Sequence, residues 1–341
     1  MSSQRKGQDQ TNPLRKRSVA LSPLAFGGAP VGNLYANVNE TGALDAIAHA
    51  WRGGIRHFDT APYYGYGLSE TRIGTALKGV ERSSYTLSTK VGRLIDVDAT
   101  RRDRSDGFAV DGQRAHFDYS RDGVLRSLET SIERLGTDRI DILLLHDIGA
   151  LTHGDRHADV LAQALNEALP AMAQLRDQGV VGAIGIGVNE EAICLDVMRR
   201  FPLDVIMLAG RYTLFEQDRS KAVMARAKAD DVAILVAGPY NSGLLGSDAG
   251  PGDMYDYAPA SPEIKARAQR FYELCHRTGA QVGAAALQFP GAHPAVASVV
   301  CGLRSIAEVD SALDRMRATV PAATWDALRD EGLLAPGVPA P

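Results

Sequence analysis

The sequence predicts one α/β domain built on a parallel sheet, and two features of the chain predict it. Short runs of aliphatic and β-branched residues alternate with longer amphipathic segments over most of the 341 residues. Several of the short runs are almost continuously apolar, which is typical of parallel strands covered by helices on both faces. This pattern is compatible with a closed barrel and with an open doubly wound sheet, and periodicity alone does not separate the two.

Eight short segments are predicted as the strands of this sheet. Each has an aliphatic interior, and the spacing between consecutive segments leaves room for a returning helix. In chain order they are Leu24–Phe26, Arg56–Asp59, Tyr85–Lys90, Ile140–His146, Ala183–Val188, Val205–Leu208, Ala233–Ala237 and Ala297–Cys301.

Amphipathic helices are predicted between the strands. The segments Thr41–Arg52 and Arg121–Leu135 repeat apolar residues at helical spacing, and the second is followed by Gly136, a residue type that commonly ends helices. The remaining predicted helices are Ser69–Lys78, Pro170–Gln178, Glu190–Arg200, Gln217–Ala229, Pro262–Arg277, Ile306–Met316 and Ala322–Gly332.

The rest of the chain divides into a tail and two polar insertions. Residues 1–18 are predicted to be a disordered tail, and residues 19–335 to form the domain. The polar stretches Arg93–Asp118 and Ile148–His157 follow the third and fourth predicted strands. Because both follow strands, we expect both at the carboxyl ends of the strands, where active sites of parallel α/β folds lie.

Composition narrows the functional classes. The net charge of −4 gives no electrostatic footprint for nucleic acid or an anionic membrane, and no apolar run is long enough to span a bilayer. The three cysteines are far apart and odd in number, which favours reduced thiols in a cytoplasmic protein. We therefore expect a small-molecule partner, and the oligomeric state stays open.

Ionisable residues end three of the predicted strands. Asp59 ends the run RHFD, Lys90 ends YTLSTK and His146 ends ILLLH, while Tyr64 follows Asp59 in the glycine-containing loop DTAPYYGYG. In a barrel the carboxyl ends of the strands meet at one mouth. Asp59 and Lys90 alone could be a structural pair, but four such residues at matching strand ends favour a reactive site.

These residue types suit proton transfer to or from a carbonyl or alcohol oxygen. A tyrosine titrates near 10, and a nearby ammonium such as Lys90 is expected to lower the pKa of Tyr64. The Asp59 carboxylate would hold that ammonium in place. A neutral His146 could donate a hydrogen bond to the substrate oxygen. The four side chains therefore predict acid–base chemistry coupled to carbonyl reduction or alcohol oxidation.

The motifs FDTAPYYG, STK and LLLHD, the last preceded by DYSRDGVLRSLETSIERLGTDRIDI, resemble the signatures of the aldo-keto reductase superfamily. The resemblance covers about Leu21 to Ala312 and implies a single-domain (β/α)8 TIM barrel. It also implies direct hydride transfer to or from a nicotinamide, with no metal or flavin. The implied catalytic tetrad is Asp59, Tyr64, Lys90 and His146; Tyr63 is the rival tyrosine, but the family's tyrosine immediately precedes the glycine.

Three further segments suggest a narrower group. AIGIGVNE, LAGRYTLFEQ and GPYNSGLLG resemble the D-threo-aldose 1-dehydrogenase group, which includes L-fucose and L-galactose dehydrogenases and a pyridoxal 4-dehydrogenase. The resemblance implies NAD-dependent oxidation of an aldose of the L-fucose, L-galactose or D-threo type at C1, giving the lactone. The alternatives are pyridoxal oxidation, general aldehyde reduction with NADPH, and a non-enzymatic nicotinamide-binding regulatory barrel, which the intact tetrad disfavours.

The nicotinamide end of the cofactor site departs from the common family pattern. The fifth strand ends in GIGVN where the family often has GVSN, so Asn189 alone would hold the carboxamide. The usual stacking tyrosine falls near Gly238, which leaves Tyr212 or Tyr240 to stack on the nicotinamide ring.

The other end of the cofactor site predicts NAD rather than NADP. Gly302 and Glu308 stand where NADP-specific relatives carry a lysine and an arginine, and a carboxylate repels a 2′-phosphate but accepts hydrogen bonds from a ribose hydroxyl. Arg304 in the same segment could still reach a phosphate. Small residues in the segment Asn241, Ser242 and Gly243 would let backbone amides approach the pyrophosphate.

Overall fold

Eight parallel strands close into a barrel in the computed structural model, which describes residues 12–14 and 16–341. Each strand pairs with its neighbours in sequence, and the last strand returns to the first with Val299 opposite Leu24. The predicted (β/α)8 barrel is confirmed, and the open sheet is excluded. The strands are β1 (Leu24–Gly27), β2 (His57–Asp59), β3 (Thr86–Val91), β4 (Ile140–His146), β5 (Val181–Val188), β6 (Val205–Ala209), β7 (Ala233–Ala237) and β8 (Val296–Gly302).

Helices surround the barrel and bury their apolar faces against it. Several begin at side-chain caps; Ser120, for example, accepts a hydrogen bond from the Gly123 amide. The α-helices are α1 (Glu40–Arg52), α2 (Leu68–Ala76), α3 (Arg121–Leu135), α4 (Ala150–His153), α5 (His157–Gln163), α6 (Leu169–Asp177), α7 (Glu191–Arg200), α8 (Lys221–Ala229), α9 (Pro262–Arg277), α10 (Val282–Gln288), α11 (Ile306–Arg317) and α12 (Ala322–Asp330).

Alternation along the strands decides which side chains enter the barrel. In β4, Ile142 and Leu144 belong to the interior cluster, whereas Leu143 and Leu145 pack against the helices. Since side chains alternate with a period of two, His146 at the end of β4 lies on the same interior side as Leu144. The same alternation brings the ends of β2 and β3 to the interior, so the register of the barrel assembles the predicted site.

The amino-terminal boundary differs from the prediction. Asn12–Pro13 pairs antiparallel with Ala20–Leu21, and Leu14 is 1% exposed within the interior cluster. Ordered structure therefore begins before residue 19, because an apolar side chain closes the amino end of the barrel. Residues 1–11 and 15 of the predicted tail lie outside the described residues.

The two polar insertions are structured. The first contains an antiparallel pair, Arg93–Val97 with Gln113–Phe117, and a bridge from Phe108 to Leu34 fastens it to the barrel. The second contains helix α4. Both follow strand ends, as predicted, and the first brings aromatic side chains to the barrel mouth.

Cys194, Cys275 and Cys301 are free and buried. Burial raises the pKa of Cys275 to about 11 and that of Cys301 to about 12, so both thiols stay protonated near neutral pH. No helix in the described part of the chain is long and apolar enough to cross a membrane.

Candidate active site

A buried ion pair lies at the centre of the barrel mouth. Lys90 Nζ donates to Asp59 Oδ2 at 2.9 Å and to the Thr60 carbonyl at 2.8 Å. The two charged side chains are 2% and 3% exposed. A buried charge is tolerated only when it is paired and hydrogen-bonded, and both conditions are met here.

The pair holds the lysine in its charged form. Burial alone lowers the pKa of Lys90, but the charge of Asp59 and its hydrogen bond raise that pKa to about 12. Burial likewise raises the pKa of Asp59, and the Lys90 ammonium and the Ser88 hydroxyl oppose the rise. The structure therefore places a fixed cation at the ends of β2 and β3.

The Tyr64 ring lies between this cation and His146. Lys90 Nζ is 4.5 Å from the centroid of the Tyr64 ring, and the His146 ring meets it edge-on at 6.0 Å between centroids. The turn that carries Tyr64 depends on Gly65, whose φ is +65° and whose added Cβ would lie 2.3 Å from the Gly32 carbonyl oxygen. The four predicted tetrad residues thus share one site.

The protonation of Tyr64 differs from the expectation. Burial raises the pKa of the Tyr64 hydroxyl, while the charge of Lys90 and a hydrogen bond from it lower that pKa. The predicted lowering of the Tyr64 pKa is wrong. Lys90 does lower this pKa, as predicted, but burial of the hydroxyl raises it by more. Tyr64 is therefore a protonated donor near neutral pH.

His146 is fixed as a neutral imidazole. The Tyr119 hydroxyl donates to the His146 carbonyl at 2.8 Å, and His146 Nε2 lies 3.5 Å from Asp147 Oδ2. Burial, followed by the charges of Arg93 and Lys90, holds the pKa of His146 well below its usual value. Its Nδ1 is buried without a hydrogen-bond partner among the described residues, so the ring keeps polar capacity for a ligand.

Arg93 is a neighbour of the site that sequence reasoning missed. Its guanidinium pairs with Asp147, lies 3.9 Å from the centroid of the Tyr63 ring and faces the Phe117 ring at 4.7 Å. Arg93 directly follows the loop glycine after β3, but only the fold brings it near His146. Its charge adds to burial in lowering the pKa of that histidine.

The Tyr63 hydroxyl binds a carboxylate of the first insertion, whereas the Tyr64 ring lies beside Lys90. The Tyr63 hydroxyl donates to Asp106 Oδ2 at 3.3 Å, and the Tyr66 hydroxyl donates to the same oxygen. Arg101 pairs with this carboxylate at 3.2 Å. These contacts fasten the insertion to the loop after β2, and they favour Tyr64 over Tyr63 as the reactive tyrosine.

Phe108 completes an aromatic wall beside Tyr64. Its ring is nearly parallel to that of Tyr64, with an interplanar angle of 26° and 6.2 Å between centroids, and it meets Tyr63 edge-on at 5.3 Å. Phe108 is 3% exposed although it comes from a polar insertion. The apolar triplet Phe108, Ala109 and Val110 within that insertion was the available signal in the sequence.

The segment proposed for the pyrophosphate has an unusual backbone. Asn241, Ser242 and Gly243 have φ values of +48°, +60° and +90°, and an added Cβ on Gly243 would have no atom within 4 Å. The Asn241 side chain accepts from Thr213 Oγ1 at 2.6 Å and donates to the Gly210 carbonyl at 3.1 Å. Asn241 therefore braces the loop, which leaves open space beside its backbone.

The structure separates the two candidates for stacking. Tyr212 is 1% exposed and packs against Phe289 and His293, in the segment that leads into the amino end of β8. Tyr212 follows the carboxyl end of β6, but this packing occupies its ring, which argues against its proposed stacking role. Tyr240 lies after β7 and is half-buried, with the Arg315 guanidinium 5.5 Å from its ring centroid. Tyr240 remains a candidate.

The residues that the sequence linked to the choice between NAD and NADP lie together at the start of α11. Glu308 Oε2 accepts from the Arg304 amide at 2.8 Å, and Glu308 Oε1 lies 3.2 Å from Arg304 Nε. Ser305 caps the helix by accepting from the Glu308 amide at 3.2 Å. The carboxylate therefore pairs with Arg304, the arginine that could reach a phosphate according to the sequence. Gly302 ends β8 just before this turn.

The donor set fits a nicotinamide dinucleotide. His146, with its unpartnered Nδ1, and the buried Lys90 cation lie at strand ends, and Asn189 follows the end of β5. The residues that would hold the remainder of the dinucleotide are Tyr240, Asn241, Ser242, Gly243, Gly302, Arg304 and Glu308. A bound nicotinamide would accept or supply the hydride.

Barrel and site together define an oxidoreductase that acts on CH–OH groups. The aldo/keto reductase family model matches residues 23–330, and the chain belongs to this family. Its substrates are accordingly of the sugar or aldehyde type, and its cofactor is a nicotinamide nucleotide.

Relatives of known activity cover nearly the whole chain. It is 37% identical to pyridoxal 4-dehydrogenase of Microbacterium luteolum, over 94% of this chain and 97% of the relative. It is 37% identical to D-threo-aldose 1-dehydrogenase of a Pseudomonas species, over 93% and 95%. It is 31% identical to L-galactose dehydrogenase of Arabidopsis thaliana, over 87% and 85%.

A solved structure agrees on the fold. The holo form of an aldo-keto reductase from Bacillus halodurans matches with a TM-score of 0.74 and 24% identity, over 96% of this chain and 97% of that one. At this identity the match supports the barrel architecture alone.

Proposed function

We propose that this protein oxidises an aldose at C1 to the lactone, with NAD as the hydride acceptor. The observation that carries the proposal is the buried Lys90–Asp59 pair beside Tyr64, with the His146 ring edge-on to Tyr64. The 37% and 31% identities to two sugar dehydrogenases support the choice of substrate class.

The chain's own residues would handle the proton. Neutral His146 donates a hydrogen bond that orients the anomeric oxygen, and Tyr64 accepts the proton of the anomeric hydroxyl as hydride leaves C1. Lys90 stabilises the phenolate form of Tyr64 that accepts this proton, and Asp59 keeps Lys90 charged and fixed. In the reverse direction Tyr64 returns the proton to the carbonyl oxygen.

Pyridoxal is the second candidate substrate. The rings of Tyr63, Tyr64 and Phe108 give the mouth an aromatic character that suits a planar aromatic substrate. The 37% identity to a pyridoxal 4-dehydrogenase supports the same reading.

A substrate panel tests the proposal. L-fucose, L-galactose, D-arabinose and pyridoxal would be assayed side by side with NAD and NADP, following formation of the reduced nicotinamide. We expect the highest kcat/KM with an aldose and NAD. Turnover of pyridoxal without any aldose would select the second candidate, and inactivity with all four would reject both.

The cofactor preference has a separate test at Glu308. Glu308→Gln keeps an oxygen that can cap the Arg304 amide but removes the charge that faces a 2′-phosphate and pairs with Arg304. We expect the wild-type ratio of kcat/KM values to favour NAD, and the variant to lower that ratio by about tenfold or more.

Glu263→Gln, in the exposed first turn of α9, is the matched control and should leave the ratio unchanged. A wild-type ratio that favours NADP would contradict the predicted preference.

The pH dependence follows from the raised pKa of Tyr64. Oxidation needs Tyr64 to accept a proton, so the deprotonated fraction and the rate should rise with pH. Reduction needs the protonated form, so its rate should fall over the same range. Initial rates in both directions from about pH 6 to about pH 10 measure this. An oxidation rate that is flat or falling in alkali would contradict the role of Tyr64.

A further inference from the structure

A buried histidine lies below the tetrad and takes no part in the chemistry described so far. His57 occupies the barrel interior two residues before Asp59 on β2 and is fully buried. Its Nε2 lies 2.9 Å from Ser88 Oγ. Ser88 in turn lies opposite Asp59 across the β2–β3 ladder. A polar ring at this depth would be costly without a purpose, because burial disfavours unpaired polar groups.

The hydrogen-bond directions in this cluster are determined by its chemistry. Ser88 Oγ donates its single hydrogen to Asp59 Oδ1 at 2.7 Å. The Ser88 oxygen can then only accept from His57, so His57 carries its proton on Nε2. Its buried Nδ1, which has no partner among the described residues, is the lone-pair nitrogen. Donation therefore runs one way, from His57 through Ser88 to Asp59.

The hydrogen-bonded series from His57 through Ser88 to Asp59 brings no additional positive charge to the carboxylate. Burial and then the charge of Lys90 lower the pKa of His57 to about 3, so the imidazole is neutral at every working pH. Asp59 receives the Ser88 hydroxyl on one oxygen and the Lys90 ammonium on the other. Both oxygens of the buried carboxylate are thereby satisfied in its ionised form.

We propose that His57 and Ser88 are positioning residues, which hold Asp59 ionised beneath Lys90 and so control the protonation of Tyr64. The inference rests on the proposed role of Tyr64, and it extends the site by two residues that touch neither substrate nor cofactor. Loss of the Ser88 hydroxyl would favour protonation of Asp59. A protonated Asp59 would stabilise the Lys90 ammonium less. The charge of Lys90 lowers the pKa of Tyr64 by more than the charge of Asp59 raises it, so a weakened Lys90 ammonium would let the Tyr64 phenolate form only at higher pH.

The first measurement needs no substrate. The Asp59 side-chain carboxyl would be titrated by carbon-13 NMR in the full-length protein, with the Asp59 signal assigned by Asp59→Asn. We expect Ser88→Ala to raise the Asp59 pKa by about one unit, and Ser88→Thr, which keeps the hydroxyl, to restore it. Nitrogen-15 NMR should show His57 neutral with its proton on Nε2.

The second measurement is the pH profile of oxidation for any substrate that the protein turns over. Ser88→Ala and His57→Phe should shift the alkaline rise in kcat to higher pH and lower kcat near pH 7 by about tenfold, with little change in the dissociation constant for NAD. Because one of these variants could fail to fold, both are tested. Thermal melting identifies the variants that are folded.

Thr89→Ala is the matched control. Thr89 is the next residue on β3 and is equally buried, but its hydroxyl donates to Glu70 at 2.7 Å on the helix side of the strand. Thr89→Ala should leave both the Asp59 titration and the pH profile unchanged.

An unchanged Asp59 pKa in folded Ser88→Ala would overturn the inference, as would an equal shift in Thr89→Ala or a His57 proton on Nδ1. Failure of the proposed function is a distinct result, namely no turnover of any aldose or pyridoxal while the carboxyl titration still shifts.

Discussion

Tyr64→Phe is expected to lower kcat by about 10³-fold or more while the dissociation constant for NAD stays within about twofold. The substitution removes one oxygen and keeps the ring, so the contacts of Tyr64 with Phe108 and His146 persist. Only the proton acceptor next to Lys90 is lost. Steady-state kinetics with the best substrate, combined with fluorescence titration by NADH, would measure the two quantities.

Tyr63→Phe is the matched comparison, because it removes the neighbouring hydroxyl. That hydroxyl donates to Asp106, so its loss should loosen the insertion and raise KM with at most about a tenfold effect on kcat. An inactive Tyr63→Phe together with an active Tyr64→Phe would reverse the assignment.

Asp59→Ala is expected to produce the largest loss of stability. It leaves the Lys90 ammonium buried at 2% exposure without a counter-charge, and breaking a buried ion pair in this way costs about 3–5 kcal/mol. Urea unfolding monitored by circular dichroism would give the change in the free energy of unfolding. Turnover should be lost as well, because Lys90 is no longer held beside Tyr64.

The double variant Asp59→Ala/Lys90→Met separates charge from packing. Removing both charges eliminates the unpaired cation, so the double variant should be more stable than Asp59→Ala alone. It should remain inactive. A double variant that is no more stable than Asp59→Ala would show that the loss comes from packing rather than from the unpaired charge.

The grouping of the four candidate residues was predictable because three of them sit at strand ends. A period-two alternation and a parallel barrel are enough to bring Asp59, Lys90 and His146 to one mouth, and the glycine turn places Tyr64 beside them. Much of the helix pattern was predictable too. Arg121–Leu135 was predicted with the bounds that the structure gives to α3, whereas α5 and α10 were not predicted.

The aromatic wall was not predictable, because it depends on contacts between distant segments. Phe108 reaches Tyr64 only through a strand pair inside a polar insertion, a bridge to Leu34 and the carboxylate of Asp106. None of these pairings leaves a periodic signal in the sequence. A polar, charged strand pair at a barrel mouth resembles an unstructured loop when only composition is considered.

The cofactor contacts were partly predictable for a related reason. Loop residues can be named from a motif, but their orientation is decided by the backbone. The Tyr212 ring packs against Phe289. The Asn241 side chain is hydrogen-bonded to Thr213 and to the Gly210 carbonyl. The pairing of Arg304 with Glu308 was not predicted, although residues four apart at a helix start can lie side by side.

The most direct test of the hydride-transfer account is an isotope experiment at the reacting carbon. The protein would be incubated with NAD and an aldose deuterated at C1, and the reduced nicotinamide would be examined by mass spectrometry. The account predicts that the deuterium of C1 appears on the reduced nicotinamide, and that Tyr64→Phe suppresses its transfer. Reduced nicotinamide that carries only protium, or deuterium released to solvent, would contradict direct transfer at this site.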